Sequence, residues 1–146
     1  MSEERFVDPT RESFALFKSL PRDTPIHMLN LLDFRDQAAY PADHMHAQRG
    51  LTGAEAYREY GRASAPVLSR VGGSVLWRGR MEAMVIGPQD KTWDAAFIAA
   101  YPSAAAFLAM VTDLEYKSAV VHRQAAVLTS RLIRFEPLET DGRTFS

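Results

Sequence analysis

The chain contains no cysteine, and its positive and negative charges nearly cancel. The missing thiols exclude disulfide bonds, thiolate nucleophiles and cysteine-ligated zinc or iron–sulfur sites. A formal net charge of −1 creates no basic surface, so we expect no nucleic-acid partner. No apolar run approaches the roughly 20 residues that cross a bilayer, and the polar first residues are unlike a signal peptide. These absences predict a cytoplasmic protein that is independent of membranes.

The residues that are present are sufficient for one folded domain. The 146 residues include 47% hydrophobic side chains, enough to bury a core without help from metals or disulfides. Apolar periodicity and turn residues predict the elements in a definite order. These are a helix at 11–20, a strand at 26–34, a helix at 53–71, strands at 75–86 and 93–101, helical segments at about 103–114 and 117–130, and a strand at 131–136.

Without the first helix, this order is βαββαβ, the ferredoxin-like α+β arrangement with a four-stranded antiparallel sheet. We therefore divide the chain into an N-terminal extension with a short helix (1–25), a ferredoxin-like domain (26–137) and a polar tail (138–146). Thr52 and Glu55 form a capping-box pattern at the start of the long helix, and Pro66 is expected to kink or split it. The alanines at 93–101 also permit a helix, but the turns at both ends favour a strand.

The stretch from Val71 to Gly87 alternates along its length. Val75 and Trp77 belong to a uniformly apolar face that we expect on a core. Arg78 lies on the other, mixed face, where two interpretations remain open. It is either a solvated rim residue near Glu82 or an anchor for a carboxylate or enolate, since guanidinium binds such groups bidentately.

The predicted strands are apolar on both faces, whereas helices cover only one face of a ferredoxin-like sheet. An exposed apolar sheet needs a cover, and a second copy related by a two-fold axis provides one. The pattern therefore predicts a homodimer with a cavity at or near the sheet, the dimeric α+β barrel.

Several polar or aromatic residues at predicted inward positions are candidates for a site. Asn30 shares a strand face with apolar neighbours, so it satisfies a nearby backbone group or faces a ligand. Tyr57 and Tyr60 are core aromatics or hydroxyls at the edge of a pocket. His122 is an ordinary core-edge histidine or a group that moves a proton. His44 and His46 occupy a loop without a further ligand in sequence, so we expect no metal site.

A set of residues resembles a known family. These residues are Tyr57, Tyr60, Pro66, Gly72, Gly73, Trp77, Arg78, Gly79, Trp93, Tyr101, Pro102, Ser103, Phe107, Asp113, Glu115, Tyr116 and Arg123. The chain is similar over about residues 26–137 to the bacterial family called domain of unknown function thirteen-thirty. The resemblance implies the dimeric α+β-barrel superfamily, which includes small cofactor-free monooxygenases, EthD-like proteins and muconolactone isomerase-like proteins. The N-terminal helix and the histidine-containing loop extend beyond the family's short form.

Two functions follow as hypotheses. One is a cofactor-independent oxygenase, isomerase or lyase acting on a small carboxylate or phenolic compound. In it, Asn30, Tyr60 and His122 are catalytic, and Arg78, Tyr57, Trp77 and Trp93 contact the ligand. The other is a non-catalytic ligand-binding or stress-response module. A pocket where Asn30 and Arg78 converge with a tyrosine or histidine would favour the enzyme.

Overall fold

The computed structural model describes residues 5–145, which form a ferredoxin-like α+β domain with one additional helix. The elements are α1 (Arg11–Ser19), β1 (Ile26–Phe34), α2 (Gly53–Arg70), β2 (Ser74–Gly79), β3 (Ala95–Tyr101), α3 (Ala104–Val111), α4 (Leu114–Ala126) and β4 (Val127–Phe135). The sheet is antiparallel with the strand order β2-β3-β1-β4. The predicted fold is therefore confirmed. Residues 1–4 of the predicted lead-in and residue 146 of the tail lie outside the described residues.

The start of α2 follows the predicted capping box. The Glu55 amide donates to Thr52 Oγ1 at 3.1 Å, and the Thr52 amide donates to Glu55 Oε1 at 2.9 Å. Pro66 does not split the helix, which continues unbroken to Arg70. Pro66 is exposed, so water can bind the carbonyl that loses its helical donor.

Strand β2 is much shorter than its alternating pattern predicts. The pattern continues to Ile86, but the strand ends at Gly79, which pairs with Ala96. Residues 80–94 have no strand opposite them, and alternation without a hydrogen-bonding partner does not make a strand.

Trp93 was predicted inside the following strand but precedes it, because β3 begins at Ala95. Asp94 turns toward β1 at this point. Its amide donates to the Leu32 carbonyl at 2.8 Å, and its carboxylate accepts from the Phe34 amide at 2.7 Å. These bonds fix where the ladder of β3 starts.

A β-bulge in β2 overturns the prediction that Val75 and Trp77 share a face. Val75 pairs with Ala99, whereas Trp77 pairs with Ile98, its neighbour on β3. Adjacent strand residues point to opposite faces, so the extra residue places Val75 on the helix-covered face and Trp77 on the other.

The last helix and strand both begin earlier than predicted. Asp113 caps α4, and its Oδ1 accepts from the Glu115 amide at 2.8 Å. The helix ends at Ala126, and Val127 is already extended and pairs with Phe34. Pairing with β1 therefore places residues 127–130 in β4, although their helical periodicity predicted that they continue the helix.

The helices cover one face of the sheet and enclose the core. Ile26, Met28 and Leu32 of β1 are almost completely buried there. Helix α1 has no buried residue but adds Phe17, whose ring lies 5.0 Å from that of Phe107. Among residues 5–145, no helix is both long and apolar enough to cross a membrane.

The other face of the sheet, which we call the open face, is apolar and largely exposed. Its large apolar residues are Leu29, Leu31, Trp77, Ile98, Ile133 and Phe135. Trp77, Ile133 and Phe135 are 52%, 40% and 49% exposed. A depression of about 300 Å³ lies between this face and Pro137 and Leu138 of the tail.

Candidate functional site

Three polar residues are buried in the otherwise apolar core of the described chain: Asn30 on β1, Arg123 on α4 and Ser130 on β4. Asn30 Nδ2 donates to the Met28 carbonyl at 3.1 Å. Within residues 5–145, Asn30 Oδ1 has no hydrogen-bond partner and is not fully enclosed. An unused acceptor at this depth is available to a ligand.

Three tyrosines pack on the helix-covered face of the sheet. We call Tyr57, Tyr60 and Tyr116 the tyrosine cluster. Tyr57 and Tyr60 lie one turn apart on α2 with ring centroids 5.2 Å apart. The hydroxyls of Tyr60 and Tyr116 are 2.9 Å apart. Tyr57 also packs against Phe34, at 5.2 Å between rings. The cluster therefore joins α2 to the start of α4 over the sheet.

Burial determines the protonation of this cluster. It raises the pKa of Tyr57, Tyr60 and Tyr116, while the positive charge of Arg123 partly opposes the rise. The three hydroxyls therefore keep their protons at neutral pH and can donate hydrogen bonds. Tyr60 was predicted to move a proton. A raised pKa makes its hydroxyl a weaker acid and keeps it protonated, so this environment suits it to donate a hydrogen bond.

Arg123 is a buried cation that was not predicted as a site residue. Its guanidinium donates to the Val7 carbonyl and, at 3.2 Å, to Ser130 Oγ. Within residues 5–145 it forms no ion pair with a carboxylate. A buried charge without a counterion is costly and favours a bound anion. Arg123 lies seven residues, or about two helical turns, after Tyr116 and so faces the same way. This would have predicted its inward position if the start of α4 before Tyr116 had been known.

His122 does not join Asn30 and the tyrosines. Its Nδ1 lies 2.7 Å from the hydroxyl of Tyr40, in the loop between β1 and α2. His44 and His46 of the same loop pack against it, with ring centroids at 5.6 and 5.2 Å. His122 of α4 therefore supplies a third imidazole that the sequence around His44 and His46 does not contain. Nothing in the sequence near Tyr40 indicated that it would join this group.

These imidazoles are not arranged as metal ligands. His44 Nδ1 accepts from the His46 amide at 3.0 Å, and His46 Nδ1 lies 2.7 Å from Arg49 Nη1, which can only donate. Both neutral rings therefore carry their proton on Nε2, which then offers no lone pair to a metal. No cluster of potential ligands within residues 5–145 is placed to hold a metal ion.

The remaining predicted residues lie away from the tyrosine cluster. Arg78 pairs with Phe97 on the helix-covered face, but its side chain is exposed because β2 is an edge strand. It lies two strands away from Asn30, a distance of about 10 Å. The expected ion pair between Arg78 and Glu82 is not found in residues 5–145. Trp77 lies on the open face.

Trp93 lies outside the tyrosine cluster as well. Its ring contacts two cations, with Lys91 Nζ at 3.8 Å and the Arg131 guanidinium carbon at 5.4 Å from the centroid. Lys91 also forms an ion pair with Asp33 at 2.7 Å. Since Arg131 and Asp33 belong to the open face, these contacts place Trp93 at one end of that face.

Comparison with known proteins identifies the family. A model of the family described as "Domain of unknown function (DUF1330)" matches residues 45–134. The chain belongs to this family. The resemblance predicted from sequence is thus confirmed. No curated protein matches this chain.

Two crystal structures of the RPA0582 protein from Rhodopseudomonas palustris, described as a protein of unknown function, are similar to this chain in sequence and fold. One is 54% identical, covers 94% of this chain and 100% of that chain, and has a TM-score of 0.85. Its methylated form is 54% identical, with coverage of 94% and 98% and a TM-score of 0.86.

A more distant structure is SnoaB, a cofactor-independent oxygenase from Streptomyces nogalater. It is 15% identical, with coverage of 81% of this chain and 97% of that chain and a TM-score of 0.52. At this identity the likeness concerns the fold alone.

The raised tyrosine pKa values give a testable pH dependence. Tyr40 and Tyr101 also have a raised pKa through burial, so all five tyrosines resist ionisation. The folded chain then binds more protons than the unfolded chain above pH about 10, and stability falls as pH rises past that value. We expect tyrosinate absorbance to appear together with loss of circular dichroism. Ionisation near pH 10 in a chain that stays folded would contradict the burial of these hydroxyls.

Proposed function

We propose that this protein binds a small, partly apolar acid or phenol between the sheet and the helices. The single observation that carries the proposal is the buried polar centre of Asn30, the tyrosine cluster and Arg123. Arg123 donates to the Val7 carbonyl and to Ser130 Oγ, but within residues 5–145 no carboxylate pairs with its charge, which lies beside three protonated hydroxyls. An anionic oxygen placed there would meet donors from the tyrosines and the charge of Arg123.

The same arrangement suits chemistry in which an oxyanion develops. Donors held in place by packing stabilise a phenolate or enolate without reorganising during the reaction. The fold shared with SnoaB supports a cofactor-independent oxygenase as the enzyme class. An isomerase or lyase that passes through the same kind of oxyanion stays in the proposal on the chemistry of the site alone. Tyr57 and Arg78 stay in the proposal as ligand contacts, with Arg78 reaching the site from its rim. Trp77 and Trp93 lie on the open face, across the sheet from this site, so the proposal no longer includes them.

One observation favours a non-catalytic binding protein as the second candidate. A reaction through a phenolate or enolate needs a base. The raised pKa of Tyr60 keeps its hydroxyl protonated at neutral pH, so it cannot accept a proton there, and His122 is held by Tyr40 outside the tyrosine cluster. Ligand binding without turnover is consistent with both facts.

The open face supports a homodimer as part of this proposal. Trp77, Ile133 and Phe135 each expose 40% or more of their surface in a single chain. Exposed apolar groups on one continuous sheet face are typical of an interaction surface. A second copy packed on this face would bury them by two-fold symmetry. The cytoplasmic location likewise stays a proposal.

A titration with salicylate, which carries both a carboxylate and a phenol, tests the binding site. We expect saturable binding that weakens about tenfold in Tyr60→Phe and in Asn30→Leu, because each change removes a hydrogen-bonding group worth about 1.4 kcal/mol. Isothermal titration calorimetry gives the affinities, and oxygen uptake with the same compound distinguishes turnover from binding. Thr112→Val is the control and should bind like the wild type, because it removes an exposed hydroxyl that bonds carbonyls of α3. If Thr112→Val and Tyr60→Phe weaken binding equally, the ligand does not occupy this centre.

A further inference from the structure

Four aromatic rings hold the loop between β1 and α2 against α4. The rings are Tyr40, His44 and His46 of the loop and His122 of the helix, and we call them the histidine latch. Tyr40 stacks on His44 at 4.8 Å, and the three imidazole centroids lie 5.2 to 5.6 Å apart. Three of the four histidines of the chain are thus collected at one place, although nothing proposed above uses them.

The hydrogen bonds of the latch require neutral imidazoles. His44 Nδ1 accepts from the His46 backbone amide, and His46 Nδ1 accepts from the Arg49 guanidinium. An imidazolium carries a proton on both ring nitrogens and can no longer accept. Protonation therefore removes both bonds and places positive charges about 5 Å from each other.

The surroundings offer little compensation for such charges. Arg49 is already cationic and lies against His46. The carboxylate facing the latch belongs to Glu59 on α2, and it is engaged by Arg62 at 3.0 Å and Arg49 at 3.8 Å. Protonated latch histidines therefore repel one another more than Glu59 can offset.

The loop held by the latch covers one end of the tyrosine cluster. Ala38 and Tyr40 pack against the same buried group, around Leu32, as Tyr57 does. The Ala39 amide donates to a carbonyl of α4 at 2.9 Å, which ties the loop to the helix. Release of the loop would uncover the side of the core where Tyr57 lies.

We propose that the histidine latch is a pH-sensitive switch that closes the 35–51 loop over the Tyr57 end of the core at neutral pH and releases it in mild acid. The proposal rests on the packing of the rings and on the acceptor roles of their nitrogens. It is independent of which ligand the core binds.

The pKa shift of His122 has the direction that this switch requires. Burial, and then the neighbouring His46 and His44, lower the pKa of His122, and Glu59 opposes them. A lowered pKa means that the closed state favours the neutral ring. The neutral His122 ring therefore stabilises the closed loop above the ordinary histidine pKa of about 6.5, and this stability is lost as pH falls below it.

Amide hydrogen exchange followed by NMR tests the switch in the full chain. After correction for intrinsic exchange rates, we expect the Ala39 and His46 amides to lose about tenfold or more of their protection between pH about 7.5 and about 5, while β1 amides keep theirs. The triple variant His44→Gln, His46→Gln, His122→Gln should show the same protection at both pH values. His27→Gln, which alters the histidine on the open face, is the control and should respond like the wild type.

Each outcome decides the proposal. A triple variant without a pH response supports the switch, whether its loop is open or closed, because the response then depends on these imidazoles. The proposal fails if the wild-type loop stays protected at pH about 5. It also fails if the triple variant still opens over the same pH range.

Discussion

Gly53→Ala is expected to lower the free energy of unfolding by about 3–5 kcal/mol. A Cβ at Gly53 would lie 2.2 Å from the Arg35 carbonyl oxygen, 2.7 Å from the Ala126 carbonyl oxygen and 2.8 Å from the Arg35 nitrogen. All three are backbone atoms, so no rotamer change can make room. The ends of β1 and α4 are themselves hydrogen-bonded here, from the Arg35 amide to the Ala126 carbonyl at 2.8 Å. The methyl group must therefore push apart three elements.

The measurement is thermal or urea unfolding, and Gly61→Ala is the matched control on the same helix. Nothing lies within 4 Å of a Cβ at Gly61, so that change should stabilise α2 by about 0.5–1 kcal/mol through helix propensity and reduced chain entropy. We expect the midpoint of Gly53→Ala to fall by roughly 10–15 °C. Equal stability of the two variants would show that β1, α2 and α4 do not meet as described.

Ile133→Glu is expected to convert the proposed dimer to a monomer and to raise its dissociation constant at least about 100-fold. Ile133 lies on the edge strand β4, where it pairs with Leu29 on the open face, and is 40% exposed in one chain. Glutamate is tolerated there in a monomer because water reaches it. A partner sheet would bury the carboxylate without a counterion, at a cost of several kcal/mol.

Sedimentation equilibrium or light scattering measures the mass, which for the wild type should be twice that of the 16.3 kDa chain. Leu114→Glu is the control. Leu114 is also exposed, at 81%, but it begins α4, where a carboxylate is favourable. A wild type that is monomeric at micromolar concentration would rule out the dimer. A dimer in Ile133→Glu as tight as in the wild type would place the interface elsewhere.

The fold could be predicted where the signal is local. The β1 strand from Ile26 to Phe34 and the capping box of Thr52 and Glu55 match the structure because each depends on residues within one element. The order of the elements then implies the ferredoxin-like topology. The open face followed from the same patterns, since the strands are apolar on both sides.

The candidate site could be predicted only in part. Asn30 and Tyr60 were recognisable because a polar residue on an apolar face is visible in one strand or helix. The place of His122 beside Tyr40 and the burial of Arg123 could not be predicted, because their partners lie far along the chain. Tyr40 is 82 residues from His122, and Val7 is 116 residues from Arg123.

The sequence by itself determined the set of elements, their order and the two apolar faces of the sheet, because side-chain periodicity is a property of neighbouring residues. Tertiary structure alone decided where β2 ends, that a bulge separates Val75 from Trp77, and that three histidines meet around Tyr40. The physical reason is that a ladder, a bulge and a cluster each require a partner brought close by folding. No residue within the same segment specifies that partner.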